Sequence, residues 1–370
     1  MTKREAALRG EGVGASLANA APSGGDFLGP GMVRAAIVGL GRWGRSLVGS
    51  VQGKSDDIRF VLAHTRTRAT AETFCREQNV KLVDSFDAIL SDPDIDAVVL
   101  ATPHSQHEAQ VTAAAAAGKH IFVEKPITLD RASADAAVAA VRAAGVVLAV
   151  GFTRRFHPAV GEVRQRLGDG RLGTLIAMVG QHTTSTGTFI APENWRADPN
   201  ESPAGAMTAV GVHLLDHMIE FAGRVADVRC VTRRLGAGPA DDTTTIFMRF
   251  AGGATGTIFC SVATATNFNF TVYGTKGLAE VSRPNLQRFR FVPCADRPPT
   301  GPVVAPPDEV VEHPGFDMLQ AELTAFARCV RDGGTYPVAL DDVLHGMSVF
   351  DAVVRAARTG KIEPVVSAGQ

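Results

Sequence analysis

"VRAAIVGLGRWG", residues 33–44, joins an apolar run to three glycines spaced as G-x-G-x-x-G. The apolar run predicts a strand that is buried on both faces. Gly39, Gly41 and Gly44 allow a tight turn, a close approach of the backbone to a ligand, and close packing of the helix that follows. The N-terminus of such a helix attracts a pyrophosphate. The stretch therefore predicts a dinucleotide site; the alternative is an ordinary glycine-rich turn.

The region after this turn alternates apolar strand candidates with helical stretches. The later strand candidates are "IRFVLAH" (58–64), "DAVVLATP" (96–103), "HIFVEKP" (120–126) and "VVLAVGF" (146–152). Alternation of this kind predicts an α/β fold with a parallel sheet and crossover helices. We therefore assign the glycine turn, including Arg42 and Trp43, to cofactor binding in a Rossmann domain.

The chain of 370 residues exceeds the size at which one core stops growing, so we expect two domains. The dinucleotide-binding domain is predicted at residues 32–152. A substrate-binding and oligomerisation domain is predicted at 153–366, where long strands and tight glycine turns indicate an open, mainly antiparallel sheet. Its last helices could pack back on the first domain. The glycine- and alanine-rich residues 1–31 are expected to be a disordered extension, and a start at Met32 fits equally well.

Composition narrows the possible partners of the protein. Lys and Arg number 37 against 38 Asp and Glu, a balance that argues against nucleic acid or an anionic membrane as partner. Apolar stretches are too short to cross a bilayer. The five cysteines lack disulfide or zinc spacing, which favours a reducing compartment such as the cytoplasm. A small-molecule substrate is the expected partner.

The segment after the second strand selects the dinucleotide. It reads "AHTRTRAT" and has no carboxylate before Glu72. An Asp or Glu usually binds the ribose hydroxyls of NAD at this position, whereas Thr65 and the guanidinium of Arg66 suit the 2'-phosphate of NADP. We therefore expect NADP in preference to NAD. The alternative is that Arg66 and Arg68 only solvate the start of a helix.

Several stretches resemble the Gfo/Idh/MocA oxidoreductases, a family named for glucose-fructose oxidoreductase, inositol dehydrogenase and a rhizopine-catabolism protein. They include "AAIVGLGRWG", "DAVVLATPHSQHEAQVTAAAAAGKHIFVEKPITL", "GFTRRFHPAV" and "GVHLLDHMIEFAG". E-K-P after a T-P-x-x-x-H segment is specific enough to set chance similarity aside. The resemblance implies an NAD(P)-dependent oxidoreductase whose second domain carries an open sheet, often used as the interface of a homo-oligomer such as a dimer or tetramer.

The E-K-P triplet supplies the predicted acid/base. In the family its lysine lies beside the nicotinamide and the substrate hydroxyl, which makes Lys125 the principal catalytic residue and a contact for both ligands. A partly desolvated ammonium near a cationic nicotinamide also loses its proton more easily. Glu124 would anchor this lysine or bind cofactor hydroxyls, and Pro126 permits a cis peptide. The alternative is a strand end with surface charges.

The stretch "ATPHSQH" ends the neighbouring strand and should face the same crevice. By analogy with the cofactor wall of the family, Thr102, Pro103, His104 and His107 are expected to line the nicotinamide side. His107 could instead be a hydrogen-bonded histidine at the start of a helix.

Two further segments supply candidate ligand contacts. In "GFTRRFHP", Arg155 matches a family position near the nicotinamide or substrate, whereas we expect Arg154 to lie on a solvated face. In the polar loop "APENWRADPNESP", Trp195 and Arg196 are candidates for substrate binding, Arg196 for an anionic group. Each could equally anchor the loop.

The segment "SPAGAMTAVGVHLLDHMIEFAG" predicts a helix from about Ala209. His213 and His217 share a face by their spacing, and Asp216 falls one turn after His213. We expect His213 to bind substrate and to assist Lys125. Metal binding is disfavoured, because adjacent Asp216 and His217 point about 100 degrees apart.

Family dehydrogenases commonly show D-x-x-x-H-x-x-D in this segment, and here Ala209 takes the place of the first Asp. Three accounts stay open. Lys125 and His213 could suffice for a less polyol-like substrate, His182 or Thr208 could take the vacated role, or activity could be lost.

The sequence thus predicts an NAD(P)-dependent dehydrogenase or reductase acting on a secondary alcohol or ketone of a sugar, cyclitol or cyclic diol. The alternatives are an NAD-dependent, redox-neutral glycosidase of the same fold and a non-catalytic NADP-binding sensor or partner protein.

Overall fold

The computed structural model describes residues 31–236, 238–295 and 302–366. The extension expected at residues 1–31 lies outside the described residues apart from Gly31. Within the described part of the chain, no helix combines the length and the apolar character that crossing a membrane requires.

Six parallel strands form the first sheet. They are β1 (Val33–Val38), β2 (Ile58–His64), β3 (Lys81–Leu82), β4 (Ala97–Leu100), β5 (His120–Glu124) and β6 (Leu148–Gly151). Their order is β3-β2-β1-β4-β5-β6. Strands β2 and β3 are added on one side of β1, and β4, β5 and β6 on the other side. This confirms the Rossmann prediction. Only β3 was not predicted, because two residues are too short to carry a hydrophobic pattern.

Five helices follow these strands as crossovers. They are α1 (Arg42–Val51), α2 (Glu72–Glu77), α3 (Phe86–Leu90), α4 (His107–Ala116) and α5 (Arg131–Ala144). Local chemistry marks their ends. Asp130 accepts a hydrogen bond from the backbone N–H of Ser133 at 2.8 Å and so caps α5, which ends at Gly145 in a left-handed conformation with φ +66°.

Within the described residues, the second sheet has nine strands. After helix α6 (Pro158–Gly168) these are β7 (Leu175–Thr183), β8 (Val225–Arg233), β9 (Thr243–Phe250), β10 (Thr255–Ser261), β11 (Asn267–Gly274), β12 (Gly277–Ser282), β13 (Arg288–Pro293), β14 (Glu309–Glu312) and β15 (Glu363–Pro364). Their order is β14-β13-β12-β11-β7-β10-β9-β8-β15. Every neighbouring pair is antiparallel except β7 and β10, so the predicted, mainly antiparallel sheet is confirmed.

Three helices complete the described chain: α7 (Val212–Ala222), α8 (Met318–Asp332) and α9 (Leu340–Thr359). Helix α7 packs on one face of the large sheet so closely that a Cβ atom at Gly180 of β7 would lie 2.9 Å from the side chain of Leu214. Helix α9 reaches back to α5 of the first domain, where Arg131 donates to the carbonyl of Leu344 at 3.0 Å.

The segment before α7 is wider than the ordinary helix we predicted from Ala209. Met207–Gly211 forms a π-helical turn that continues into α7. Within this turn Ala209 is exposed, whereas Met207, Thr208, Val210 and Gly211 are buried. Single π-helical turns often occur at functional sites because they redirect backbone groups. Here the turn presents the Ala209 carbonyl to the opposite domain.

Candidate active site

The glycine turn after β1 has no room for a Cβ atom at two of its three glycines. Gly39 has φ +94°, and a Cβ atom there would lie 2.6 Å from the carbonyl oxygen of Ala101. A Cβ atom at Gly44 would lie 1.9 Å from the carbonyl oxygen of Gly39. Gly41, by contrast, is exposed and has no neighbouring atom within 4 Å of such a position. The turn is therefore closed on its inner side and open where a pyrophosphate would approach.

Helix α1 begins directly after this opening. Its first turn contains no acidic residue, so its free N–H groups and dipole favour an anionic ligand. An open groove lies at this end of the helix and is lined by Leu40, Gly41, Arg42, Arg45 and Thr70. The residues present fit a dinucleotide.

Thr65 and Arg66 follow the last residue of β2. Arg66 is exposed and, within the described part of the chain, forms no salt bridge, whereas Arg68 pairs with Asp84 at 2.7 Å. The structure thus leaves the guanidinium of Arg66 available at the end of the strand next to the glycine turn.

The E-K-P triplet lies at the carboxyl end of β5, and its Lys125–Pro126 peptide is cis. Lys125 is partly exposed, and its Nζ donates a 2.8 Å hydrogen bond to the carbonyl oxygen of Ala209 in the π-helical turn. The ammonium therefore bridges the two domains. At position 209, where the resemblance leads us to expect an Asp and the sequence has Ala, the group that meets the lysine is the backbone carbonyl.

Burial sets the charge of this lysine. Desolvation lowers the pKa of Lys125 to about 8, Glu124 opposes the shift, and the nearby cations Arg196 and Arg154 add to it. Glu124 itself is 7% exposed and accepts a hydrogen bond from the indole N–H of Trp43. Burial raises the pKa of Glu124, which Lys125 and Trp43 partly offset. Trp43, predicted to contact the cofactor, thus also fixes the acidic neighbour of the lysine.

His107 does not line the cofactor wall, and that prediction is wrong. Its side chain is 0% exposed, with Nδ1 3.0 Å from the carbonyl oxygen of Pro126 and Nε2 3.2 Å from that of Thr102. A side chain without exposed surface cannot touch a ligand. His107 instead ties the E-K-P turn to the end of β4. Pro103 is partly buried beside it, and the hydroxyl of Thr102 donates to Gln110 at 2.6 Å.

The two adjacent arginines lie in surroundings that differ from those we predicted. Arg155 forms two hydrogen bonds with the Asp216 carboxylate, at 2.6 and 2.9 Å, and both side chains are 5% exposed. Its guanidinium is held in this ion pair, and its predicted ligand contacts stay a prediction. Arg154 was expected on a solvated face, which is wrong. Its guanidinium stacks on Phe268, 4.7 Å from the ring centre, and donates to Nε2 of His182 at 3.0 Å.

Two histidines, His182 and His213, lie next to Arg154. His182 accepts from Arg154 at Nε2, so its Nδ1 carries the proton and donates to the carbonyl of Val210 at 3.1 Å. The ring of His213 lies 6.2 Å from that of His182, and its buried Nδ1 has no hydrogen-bond partner. Burial and the charges of Lys125 and Arg154 lower the pKa of His213 well below its ordinary value, so this imidazole is neutral.

Two candidates for the role of the missing carboxylate are resolved by these contacts. Thr208 is 0% exposed and donates its hydroxyl hydrogen bond to the carbonyl of Pro203, so it does not face the cleft. His182 stands behind Arg154 and holds it. His217 is fully buried against Phe221 and Phe270, a packing position. Among the described residues, no three side chains of His, Cys, Asp or Glu come together to bind a metal.

The loop with Trp195 and Arg196 covers the site from the second domain. The indole of Trp195 meets the ring of His104 edge-on at 4.9 Å, and Arg196 stacks over Trp195 at 4.1 Å. The buried Glu201 anchors the loop, because its carboxylate accepts from the N–H of Ser105 at 3.2 Å and from the Ser105 hydroxyl. The contact of Trp195 with His104 fits the anchoring role that we left open for it, and its substrate contact stays a prediction.

Sequence reasoning missed Glu201, Phe268 and the carbonyl of Ala209 as parts of this site. Nothing local distinguishes one acid in a polar loop, one aromatic in a strand or one backbone carbonyl. Each acquires its role from a partner more than fifty residues away, at a separation of 96 between Ser105 and Glu201 and 84 between Lys125 and Ala209.

Comparisons with known proteins agree with this geometry. Residues 33–152 match the model of an oxidoreductase family with an NAD-binding Rossmann fold, GFO_IDH_MocA, and residues 160–280 match the GFO/IDH/MocA C-terminal domain. The chain is 30% identical over 343 residues to scyllo-inositol 2-dehydrogenase (NAD(+)) of Bacillus subtilis (strain 168), covering 89% of this chain and 95% of that protein.

Two other comparisons are partial or distant. The chain is 28% identical over 227 residues to trans-1,2-dihydrobenzene-1,2-diol dehydrogenase of Oryctolagus cuniculus, covering 60% of this chain and 67% of that protein. A levoglucosan dehydrogenase solved with NADH and levoglucosan superposes with a TM-score of 0.80 at 22% identity, covering 90% of this chain and 100% of that one. The latter likeness concerns the fold.

Proposed function

Because the chain belongs to the GFO/IDH/MocA family of oxidoreductases, we propose that it transfers a hydride between a nicotinamide dinucleotide and a secondary alcohol or ketone of a sugar, cyclitol or cyclic diol. The relatives named above, by their names, act on scyllo-inositol, a dihydrobenzenediol and levoglucosan. The observation that carries the proposal is the position of Lys125, a partly exposed lysine that joins the cofactor domain to the second domain.

The dinucleotide, when bound, accepts or supplies the hydride. Lys125 handles the proton, because its lowered pKa of about 8 makes both the amine and the ammonium accessible near neutral pH. In alcohol oxidation the amine takes the hydroxyl proton, and in ketone reduction the ammonium returns it. The neutral His213 can accept or donate one hydrogen bond and would orient the substrate oxygen. Trp195 and Arg196 close the site towards solvent.

The test is a turnover screen with sugars, cyclitols and cyclic diols, supplied with NAD or NADP and followed by nicotinamide absorbance. We expect turnover with at least one class. Replacing Lys125 with Met should lower turnover by roughly a hundredfold or more while cofactor binding persists. Unchanged turnover in this variant would remove the role of the lysine. Cofactor binding without turnover of any compound would favour a non-catalytic protein, and hydrolysis without net cofactor use would favour the glycosidase alternative.

We further propose that NADP is preferred over NAD. Support comes from Arg66, which is exposed and has no acidic partner among the described residues, and from Thr65 at the end of β2. A guanidinium forms charge-assisted, bidentate hydrogen bonds with a phosphate, whereas the uncharged ribose hydroxyl of NAD offers no such interaction. Fluorescence titration should give tighter binding of NADPH, and Arg66→Gln should weaken NADPH while sparing NADH. Tighter binding of NADH to the unaltered protein would overturn this preference.

We also propose a homo-oligomer assembled through the outer face of the large sheet. That face exposes large apolar side chains on strands β8 to β11, namely Val231, Phe247, Phe259 and Tyr273. An exposed apolar patch of this kind marks an interaction surface. In light scattering, Phe247→Glu should reduce the mass, whereas Leu235→Glu, at a 73% exposed loop position, should not. A monomeric unaltered protein would contradict the proposal.

We propose a cytoplasmic location as well. The five cysteines support it, because all of them are unpaired in the described chain.

A further inference from the structure

The cleft around Lys125 contains more positive charge than its own residues neutralise. Lys125 bonds to the carbonyl of Ala209, and Arg154 is joined through His182 to the next carbonyl, that of Val210. The two cations are thus held against consecutive residues of one π-helical turn. Arg196 approaches from the covering loop, and the charges of both arginines act on Lys125. We refer to Lys125, Arg154 and Arg196 as the cationic cluster.

Neither arginine of the cluster has an anionic partner within the described residues. Arg155, Arg164 and Arg166 each form salt bridges, at 2.6, 2.5 and 2.5 Å, whereas Arg154 forms none. Its Nη1 is shielded from solvent and has no hydrogen-bond partner. A shielded guanidinium donor that is left unpaired is energetically costly. Such a donor therefore points to a partner that arrives from outside the chain.

Two carboxylates of the site already hold neighbouring side chains. Glu124 accepts from the indole of Trp43, and Glu201 accepts from Ser105. The second-domain group that meets Lys125 is an uncharged carbonyl, that of Ala209, and the imidazole of His213 is also neutral. Glu124 supplies one negative charge against the three cations of the cluster, so an uncharged polyol would leave most of this positive charge uncompensated, and an oxidised nicotinamide would add a further positive charge.

We propose that the substrate carries a carboxylate in addition to the secondary alcohol or ketone, as a uronate or a hydroxylated cyclic acid does, and that Arg154 binds this carboxylate. The proposal rests on the function proposed above and names its substrate class. Arg154 offers a free Nη1 donor beside an Nη2 already fixed by His182, which suits one planar carboxylate. Arg196, exposed on the loop, draws the anion towards the cleft and covers it.

The first experiment compares each acid with its own methyl ester, which has nearly the same shape but no charge. The pairs are D-glucuronate, D-galacturonate and quinate with their methyl esters, and glucose 6-phosphate is a separate anion. We expect kcat/KM, and also the affinity of the enzyme–NADPH complex measured by fluorescence, to favour an acid over its ester by about 10- to 100-fold. Equal values for acid and ester in both measurements overturn the proposal, and so does a preference for the phosphate.

Acid-selective binding and hydride transfer are measured independently, so the experiment distinguishes a failure of this proposal from a failure of the proposed function. Acid-selective binding without hydride transfer supports the carboxylate site and removes the dehydrogenase. Turnover of uncharged compounds without acid selectivity supports the dehydrogenase and removes the carboxylate site.

Variants then locate the selectivity. Arg154→Gln should abolish the preference for the acid, and Arg154→Lys should retain part of it. Ala209→Asp places a carboxylate at the exposed position beside Lys125 and should reduce acid binding while sparing the ester. Arg290→Gln is the control for the loss of one positive charge. It removes a 2.6 Å salt bridge between Arg290 of β13 and Asp308 and should leave the acid preference unchanged. If Arg154→Gln folds poorly, the Ala209→Asp result decides, and undiminished acid preference in that variant overturns the proposal.

Discussion

The pH dependence of alcohol oxidation tests the role of Lys125 most directly. An ordinary lysine has a pKa of 10.5, and burial lowers that of Lys125 to about 8. At about pH 7 the reactive amine is then about one tenth of the population, against about 0.03% for an ordinary lysine. The site therefore increases the amount of amine about 300-fold at that pH. The rate of oxidation should rise with pH to a midpoint near 8 and then level off.

The perturbation is Lys125→Met, which keeps the length and apolar stem of the side chain but removes the amine. We expect kcat/KM to fall by roughly a hundredfold or more, and the rise with a midpoint near 8 to disappear. The assay is nicotinamide absorbance over about pH 6 to 10 in buffers of constant ionic strength. Fluorescence titration of the cofactor controls for folding, because the glycine turn is unaltered. A variant that keeps the same midpoint would refute the assignment.

Glu124→Gln tests the cause of the lowered pKa. The carboxylate of Glu124 raises the pKa of Lys125, opposing desolvation, so its removal should move the midpoint to lower pH. The amide retains an oxygen that can accept from the indole of Trp43, which limits any structural change. A midpoint that moves to higher pH would mean that Glu124 does not act on the lysine through its charge.

Three further predictions concern the frame of the site. Gly44→Ala should weaken dinucleotide binding and destabilise the fold by about 1–3 kcal/mol, because the new Cβ would lie 1.9 Å from a backbone oxygen; Gly49→Ala in the same helix has open space and should be neutral or stabilising, and equal effects would contradict the argument. Asp216→Ala should cost about 3 kcal/mol in denaturant unfolding, because it leaves the buried Arg155 with only the more distant carboxylate of Glu220, 3.6 Å away; a loss below about 1 kcal/mol would contradict this. Glu201→Ala should free the loop that it anchors, raising KM and speeding limited proteolysis of that loop, and an unchanged cleavage rate would show that the anchor is dispensable.

Much of the fold could be predicted because its signals are local. The strands β1, β2, β4, β5 and β6 are apolar on both faces, and the glycine turn has a steric requirement that neighbouring residues reveal. The same holds for Lys125, since a charged residue directly after a buried strand must lie at the carboxyl edge of a parallel sheet. These inferences need only periodicity and chain order.

The sequence by itself determined the Rossmann domain, the mainly antiparallel second sheet and the lysine between them. Only the tertiary structure decided which of two adjacent arginines pairs with Asp216 and which contacts His182, that His107 is buried behind the E-K-P turn, and that Lys125 meets the carbonyl of Ala209. Arg154 and Arg155 have the same chemistry and lie in one short 3-10 turn, so their directions depend on distant partners, Phe268 and Asp216. Orientation is set by long-range packing, which hydrophobic periodicity does not encode.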